Sequence, residues 1–200
     1  MDSDQDFLEV DLKRTLRDYA LLLLIAGIII GFDQWTKVLV RTKLEFGGIW
    51  APWDWLLPYA RIVHWNNSGA AFGILQGQSL LFTILAFLVT GVIIYYFPRV
   101  SPHDWTLRLA MGLQLGGAMG NLIDRLTMMG QVTDFISVGS FAVFNVADAS
   151  ITVGVAILLV GVWIKELQDR KVSQSVALNN PVSVNGPMIP DAIEDEKQAK

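Results

Sequence analysis

The sequence predicts an α-helical membrane protein with four transmembrane helices, and three observations lead to this fold class. First, 52% of the 200 residues are apolar and the mean hydropathy is +0.44, which is high for a soluble domain. Second, basic residues lie near the ends of the apolar segments, where charged groups can stay outside the hydrocarbon. Third, the chain contains long apolar runs without a charged residue. These runs cover residues 19–32, 80–97, 109–123 and 149–164.

The first run, residues 19–32, predicts a retained transmembrane helix. Basic residues precede it, as in a signal peptide, but no small-residue cleavage pattern follows it. A straight crossing takes about 20 residues, so we expect the helix to continue through Asp33 and Lys37. These two residues lie about one turn apart and are interpreted as a structural pair at the outer end of the helix. Residues 1–18 are interpreted as a cytoplasmic leader.

Four crossings would place both termini on one side of the membrane. Basic residues are more numerous at the span ends on that side, which indicates cytoplasmic termini by the positive-inside rule. Two external segments follow from this topology, residues 41–78 and 126–144. The first contains Trp50, Trp53 and Trp55, which are typical of a membrane-interface element.

The third run contains two glycines at the spacing that allows close helix packing. Gly116 and Gly120 would let a neighbouring helix or a lipid tail approach, and helix packing is the favoured interpretation. Asp124 and Arg125 end this helix with opposite charges. We expect Arg125 to brace the external segment that follows.

The second external segment predicts a β-hairpin. Gly139 and Ser140 form a possible two-residue turn between two β-prone stretches. Counting outward from that turn places Asp134 opposite Asn145. A slip of one residue would turn Asp134 to the other face of the hairpin.

Asp148 lies one helical turn beyond Asn145, at the start of the fourth apolar run. The helix from Asp148 to Lys165 would rise ~25 Å, so Asp148 is expected near the external boundary of a hydrocarbon layer of ~30 Å. A carboxylate at this depth is energetically costly unless it is hydrated or paired, and such residues are commonly functional. The predicted hairpin would bring Asp134 beside it.

The sequence beyond this helix becomes polar, and residues 166–200 are predicted to be a largely disordered cytoplasmic tail.

Two interpretations of these acids remain open on the residues alone. Adjacent carboxylates cannot both ionise cheaply, so one would keep a proton, as in an aspartic protease. The helix dipole would then make Asp148 the more acidic member and Asp134 the proton holder. Alternatively, Asp148 only caps the fourth helix and Asp134 is an ordinary loop residue.

Composition excludes several other classes of site. The chain has no cysteine, which excludes disulfides, thiolate metal sites and a cysteine nucleophile. Its two histidines, His64 and His103, are too few for a multi-histidine metal site. We expect neither a metal nor an organic cofactor, because an acid pair and water would suffice for hydrolysis. The net charge of -4 argues against nucleic acid as a partner.

Five polar motifs follow one another along the chain. They are DQWTK at 33–37, NSGAAF at 67–72, GGAMGNLIDR at 116–125, VTDF at 132–135 and FNVAD at 144–148. Read together and in this order, they resemble the motifs of signal peptidase II, the bacterial lipoprotein signal peptidase. The resemblance covers roughly residues 19–165, which we interpret as the membrane peptidase domain.

The resemblance implies a membrane aspartic endopeptidase whose catalytic dyad is Asp134 and Asp148. Asn67, Asn121, Arg125 and Asn145 would bind substrate or support the dyad. The implied substrate is a prolipoprotein cut just before a cysteine that carries a diacylglyceryl group. The implied fold adds a small extracytoplasmic β-cradle and an interfacial helix to four transmembrane helices, in the bacterial inner membrane with the site at its outer face. Membrane lipid is then a second partner, while the oligomeric state stays open.

Three other functions fit less well. A proton-coupled transporter would carry its acids near the bilayer midplane, whereas the acids here gather at one face. An intramembrane serine protease would need Ser79 and His64, and Ser79 is better interpreted as the N-cap of the second helix. A structural scaffold leaves the clustered asparagines and aspartates unexplained.

Overall fold

The computed structural model describes residues 3–69 and 75–179. This part of the chain contains four α-helices and a small antiparallel sheet. The helices are α1 (Ser3–Lys43), α2 (Ser79–Tyr96), α3 (Trp105–Thr127) and α4 (Val146–Asn179). The strands are β1 (Ile49–Trp50), β2 (Ala60–Asn67) and β3 (Val132–Val138).

Three of the described helices are long and apolar enough to cross a membrane. These segments are Thr15–Lys43, Ser79–Arg99 and Val146–Lys171. The fourth predicted crossing, α3, does not reach that criterion, because it carries polar residues such as Arg108, Asn121 and Asp124. Those three side chains are buried against other helices. The polar character of α3 therefore serves contacts inside the protein, and three of the four predicted crossings are helices that are long and apolar enough to span a membrane.

A row of glycines along α3 allows α1 to pack at very close range. A Cβ atom at Gly112 would lie 2.7 Å from Ile25, and one at Gly116 would lie 2.7 Å from Ile29. One at Gly120 would lie 2.7 Å from Oδ2 of Asp33. The predicted packing role of Gly116 and Gly120 is confirmed, since no larger residue fits at this approach. The row brings the middle of α3 against the middle of α1.

A buried ion pair also joins the same two helices. Arg108 donates from Nη1 to Oδ1 of Asp18 at 2.7 Å, and both residues are almost completely buried. The guanidinium also donates to the backbone oxygens of Val100 and Ser101 and lies 5.0 Å from the ring centroid of Phe97. Because its donors find partners, this buried charge fixes the α2–α3 connection rather than destabilising it.

The three strands pair in the order β1-β2-β3, all antiparallel. The predicted turn forms, with φ of +53° at Gly139 and a 2.9 Å hydrogen bond from the Phe141 N–H to the Val138 oxygen. The second arm of the predicted hairpin is not a strand. It contributes one bridge, Ile136 to Phe144, which is one residue out of the predicted register. The main partner of β3 is instead β2, far away in sequence.

The aromatic segment after β1 contains only a single 3-10 turn, Asp54–Leu56, where the resemblance implied an interfacial helix. Trp50, Trp53 and Trp55 are all exposed, and the last two are stacked with ring centroids 5.9 Å apart. Exposed indoles of this kind are typical of a membrane-water interface.

The ends of the chain differ from the predicted leader and tail. Helix α1 already begins at Ser3, so most of the predicted leader 1–18 is part of it. The described residues from Trp163 onward belong to a second unit, in which α4 continues to Asn179. The described part of the predicted tail, residues 166–179, is therefore helical. Helix formers fill that part, and the first proline comes only at Pro181. Residues 180–200 lie outside the described residues.

Candidate active site

Asp134 and Asp148 are brought to one place by β3 and the first turn of α4. Asp134 lies on β3 and is 2% exposed, and Asp148 is partly buried. The chain reverses between them through the turn at Gly139. The sequence-based expectation that the two acids are neighbours agrees with the structure, in which Asn145 donates a hydrogen bond to each of them.

Asn145 and Asp148 cap α4 reciprocally. The Asp148 N–H donates to Oδ1 of Asn145 at 2.9 Å, and the Asn145 N–H donates to Oδ2 of Asp148 at 3.2 Å. This is the geometry of a capping box, in which two side chains satisfy two free N–H groups at a helix start. The capping interpretation of Asp148 is therefore correct, but it does not exclude a role in the site, since Oδ1 of Asp148 points to other residues.

Asn145 also reaches the second acid. Its Nδ2 donates to Oδ1 of Asp134 at 2.8 Å. The predicted juxtaposition of Asn145 and Asp134 is therefore present although the hairpin register is shifted by one residue. Asn145 contacts both acids, one through its side-chain amide and the other through the cap of α4.

Two further asparagines donate to the acids. Nδ2 of Asn67, at the end of β2, lies 3.0 Å from Oδ2 of Asp134. Nδ2 of Asn121, on α3, lies 2.7 Å from Oδ1 of Asp148. With Asn145, every carboxylate oxygen of the two acids accepts at least one hydrogen bond. Donors of this kind favour ionised carboxylates and offset the cost of burial.

Each asparagine has its amide orientation fixed by a group that can only donate. The Lys37 ammonium donates to Oδ1 of Asn121 at 3.0 Å, and the Gly69 N–H donates to Oδ1 of Asn67 at 2.9 Å. The Asp148 N–H does the same for Asn145. Since the oxygen of each amide must face its donor, the NH2 group must face a carboxylate. The site is therefore preorganised to present N–H groups to both acids.

The predicted Asp33–Lys37 pair forms the centre of a larger buried cluster. Nζ of Lys37 lies 2.8 Å from Oδ2 of Asp33 and 3.2 Å from Oδ2 of Asp124. All three side chains are at most 1% exposed. Oδ1 of Asp33 accepts a 2.9 Å hydrogen bond from the Ala147 N–H in the first turn of α4. The cluster thus ties α1 and α3 to the start of the helix that carries Asp148.

Sequence reasoning missed several residues of this cluster. Nε2 of Gln34 donates to Oδ1 of Asp124 at 3.2 Å, and Nη1 of Arg41 donates to Oγ1 of Thr133 at 2.9 Å. Their contacts cross from α1 to α3 and β3, so no local spacing could reveal them. Asp124 was noted only as a charge at a helix end, yet it is completely buried.

The pKa of Asp134 is raised to about 7. Burial is the largest cause, and the charge of Asp148 is the next. Hydrogen bonds from Asn67 and Asn145 and the charge of Lys37 act in the opposite direction. A carboxyl group with this pKa can hold a proton near neutral pH and release it during a reaction.

Arg125 and Ser79 differ from their sequence-based interpretations. The guanidinium carbon of Arg125 lies 5.4 Å from the ring centroid of Phe82 on α2, and within the described residues its buried Nε has no hydrogen-bond partner. Its side chain therefore packs against α2 and is not seen to brace the sheet.

Ser79 is not the N-cap of α2, which is Gln78, and its hydroxyl donates to the Gly130 oxygen at 2.5 Å. His64 contacts the Leu44 oxygen instead, so a serine–histidine pair has no support.

The comparisons with known proteins agree on one family. A family model described as signal peptidase (SPase) II matches residues 25–164. A lipoprotein signal peptidase of Shouchella clausii (strain KSM-K16) is 41% identical over 149 residues, covering 74% of this chain and 96% of the relative. One from Staphylococcus aureus (strain JH9) is 31% identical over 153 residues, with 74% and 91% covered.

A solved structure is similar as well. It is described as a bacterial membrane enzyme at 2.3 Å resolution, and it matches with a TM-score of 0.67 and 31% identity. The match covers 72% of this chain and 88% of that one. The segment 25–164 matched by the family model contains every residue of the site described above.

Proposed function

The chain belongs to the signal peptidase II family, whose members are aspartic peptidases that process lipoprotein precursors, and on this premise we propose how its own residues carry out the cleavage. The proposed reaction is hydrolysis of the peptide bond just before a cysteine that carries a diacylglyceryl group. Asp134 and Asp148 are the proposed catalytic residues. The observation that carries this proposal is the set of three asparagine amides that hold the two acids together.

Two steps account for the chemistry. In the first, the Asp148 carboxylate accepts a proton from water while the water oxygen bonds to the scissile carbonyl carbon, and Asp134 gives its proton to the carbonyl oxygen. In the second, the carbon–nitrogen bond breaks, the proton on Asp148 passes to the leaving amine, and a hydroxyl proton of the intermediate returns to Asp134. Both acids end in their starting states, so no metal or organic cofactor enters the scheme.

The capping geometry supports this division of roles. Asp148 accepts from the first turn of α4, where the helix dipole favours a negative charge. Asp134 lies on a strand, and its raised pKa suits a proton donor. Asn67, Asn121 and Asn145 would keep both acids oriented as substrate binds, and the positive charge of Arg125, which acts on both acids, would support the dyad.

The same proposal implies a membrane topology. Residues 19–165 would form the peptidase domain with four crossings, both termini in the cytoplasm, and the site at the outer face of the bacterial inner membrane. The exposed indoles of Trp53 and Trp55 support that placement, because they suit the membrane interface beside the sheet. Membrane lipid would surround the apolar faces of the crossing helices.

Processing of a purified precursor tests the proposed substrate. We expect the enzyme, in detergent or liposomes, to cleave a lipidated precursor and to leave the lipidated cysteine as the new N-terminus, as read by mass spectrometry. The matched control is the same precursor with that cysteine replaced by serine, which cannot be lipidated and is expected to remain uncut. Cleavage is expected to persist in excess chelator. Equal cleavage of both precursors would contradict the substrate assignment, and chelator-sensitive activity restored by a metal would contradict the scheme.

A further inference from the structure

The position of Asp134 depends on the register of β3. Neighbouring residues of a strand point to opposite faces, so a slip of one residue would move Asp134 away from Asn67 and Asn145. The slipped strand would place Asp134 where Thr133 now lies. The function proposed above therefore requires something that holds this part of β3 in one register.

The pairing of β2 with β3 alone holds the Asp134 end of β3 in register only weakly. A bulge between Ile62 and Trp65 shifts the pairing, so that Ile62 pairs with Ile136 but Trp65 pairs with Asp134. The register near the turn is thus separated from the register near the site by an irregular step. A bulge leaves an extra residue unpaired and weakens the ladder locally. Only the short stretch from Val132 to Asp134 pairs on the site side of it.

Thr133, directly before Asp134, is held by side chains on three different elements. Its N–H donates to Oδ2 of Asp124 on α3 at 3.0 Å, and its Oγ1 accepts from Nη1 of Arg41 on α1 at 2.9 Å. Its backbone oxygen accepts a longer bond, 3.4 Å, from Nδ2 of Asn145. Thr133 is 1% exposed. These groups satisfy the backbone and hydroxyl of one buried residue. The hydroxyl contact with Arg41 is specific to the observed register, because neither neighbour of Thr133 in β3 carries a hydroxyl.

The charges around Thr133 also favour the observed register of β3 over the slipped register. Arg41 lies at the end of α1 with its side chain 20% exposed, and its Nη1 is 3.5 Å from Oδ1 of Asp124. A buried threonine hydroxyl is the acceptor that completes this contact. In the slipped register Val132 or Asp134 would replace it, which would bury either an apolar group or a second carboxylate beside Asp124.

We propose that Arg41 and Thr133 are positioning residues that fix β3 in the register in which Asp134 faces Asp148. This inference rests on the function proposed above, because it assigns the pair to the same reaction. Neither residue touches the substrate in this account. Their contact acts on the placement of Asp134, so its loss lowers the rate of the chemical step and leaves substrate binding intact.

The test compares matched substitutions at Thr133. Thr133→Val removes the hydroxyl and keeps the branched shape, whereas Thr133→Ser keeps the hydroxyl. We expect Thr133→Val to lower kcat roughly tenfold or more with KM little changed, because small misplacements of a catalytic group have effects of this size. Thr133→Ser is expected to keep kcat within about twofold of wild type.

Substitutions at Arg41 complete a double-mutant cycle with those at Thr133. Arg41→Met is expected to lower kcat at least as much as Thr133→Val does, because it also removes the 3.5 Å contact with Asp124. The double variant is expected to be no slower than Arg41→Met, since that substitution already removes the contact with Thr133. Arg41→Lys should recover most of the loss, because an ammonium can donate to the same hydroxyl. Lys43→Gln, at the same helix end, is the control for the lost positive charge and should match wild type.

The outcomes separate this inference from the proposed function. Wild-type kcat per folded molecule in Thr133→Val, or additive losses in the double variant, would overturn the positioning role while the function stands. If wild type itself does not cleave the lipidated precursor, the proposed function fails instead. Should Arg41→Met not fold, the comparison of Thr133→Val with Thr133→Ser decides alone.

Discussion

Replacing either Asp148 or Asp134 with asparagine is expected to lower cleavage of a lipidated precursor by at least about a thousandfold. Each acid transfers a proton in both steps of the proposed reaction, and proton transfer by a positioned side chain contributes roughly 10²–10⁴-fold. Asparagine has a similar shape but cannot accept or release that proton. Turnover of a purified precursor, followed by a gel shift, measures the effect.

The surrounding amides make these two substitutions more severe than a simple loss of charge. At position 148, the new NH2 group would face Nδ2 of Asn121 or the Asn145 N–H, which are both donors. Asn121 cannot turn its amide over, because its oxygen is held by Lys37. The resulting mismatch costs about 1–3 kcal/mol, so turnover is expressed per folded molecule with folding checked by circular dichroism. Near wild-type turnover in either variant would remove that residue from the mechanism.

Lys37→Met is expected to give the largest loss of stability. The substitution keeps an unbranched side chain but leaves Asp33 and Asp124 buried without the ammonium between them. Removing one partner of a buried charge cluster costs about 3–5 kcal/mol. Asn121 would also lose the donor that fixes its amide, so turnover per folded molecule should fall too. Thermal unfolding in detergent measures the first effect and precursor cleavage the second.

A surface ion pair provides the matched control for Lys37. Arg170 donates to Glu166 at 2.9 Å one turn away, but the two side chains are 71% and 57% exposed. Exposed pairs contribute well under about 1 kcal/mol, so Arg170→Gln should unfold close to the wild-type temperature. Equal unfolding temperatures for Lys37→Met and Arg170→Gln would contradict the role given to the buried cluster.

The parts of the site that the sequence predicted depend on local geometry. Asp33 and Lys37 lie one helical turn apart, and Asn145 and Asp148 lie at the start of one helix, so their contacts follow from helix geometry alone. The meeting of Asp134 with Asn145 also came from a short segment. The predicted contact forms although the register is shifted by one residue, because the Asn145 side chain is long enough to reach Asp134 beside the shifted bridge.

The parts that the sequence did not predict depend on contacts between distant segments. Asp124 joins Lys37 only because the glycines of α3 bring α1 close, and the rotation of one helix against another is not encoded in either helix alone. The pairing of β3 with β2 joins elements that lie far apart in the sequence, and the Arg41–Thr133 contact spans 92 positions. Composition alone does not identify α3 as a crossing for a related reason, because its polar residues are satisfied by neighbours that composition does not reveal.

An infrared titration of the purified protein tests the central claim most directly, since it detects the proton that the two acids share. The account predicts one protonated carboxyl band that disappears as the pH rises through about 7 and is absent from Asp134→Asn. Cleavage should fall over the same range, because the raised pKa means that the donor loses its proton only there. A spectrum without any carboxyl band titrating near neutral pH, or a band unchanged in Asp134→Asn, would contradict the account.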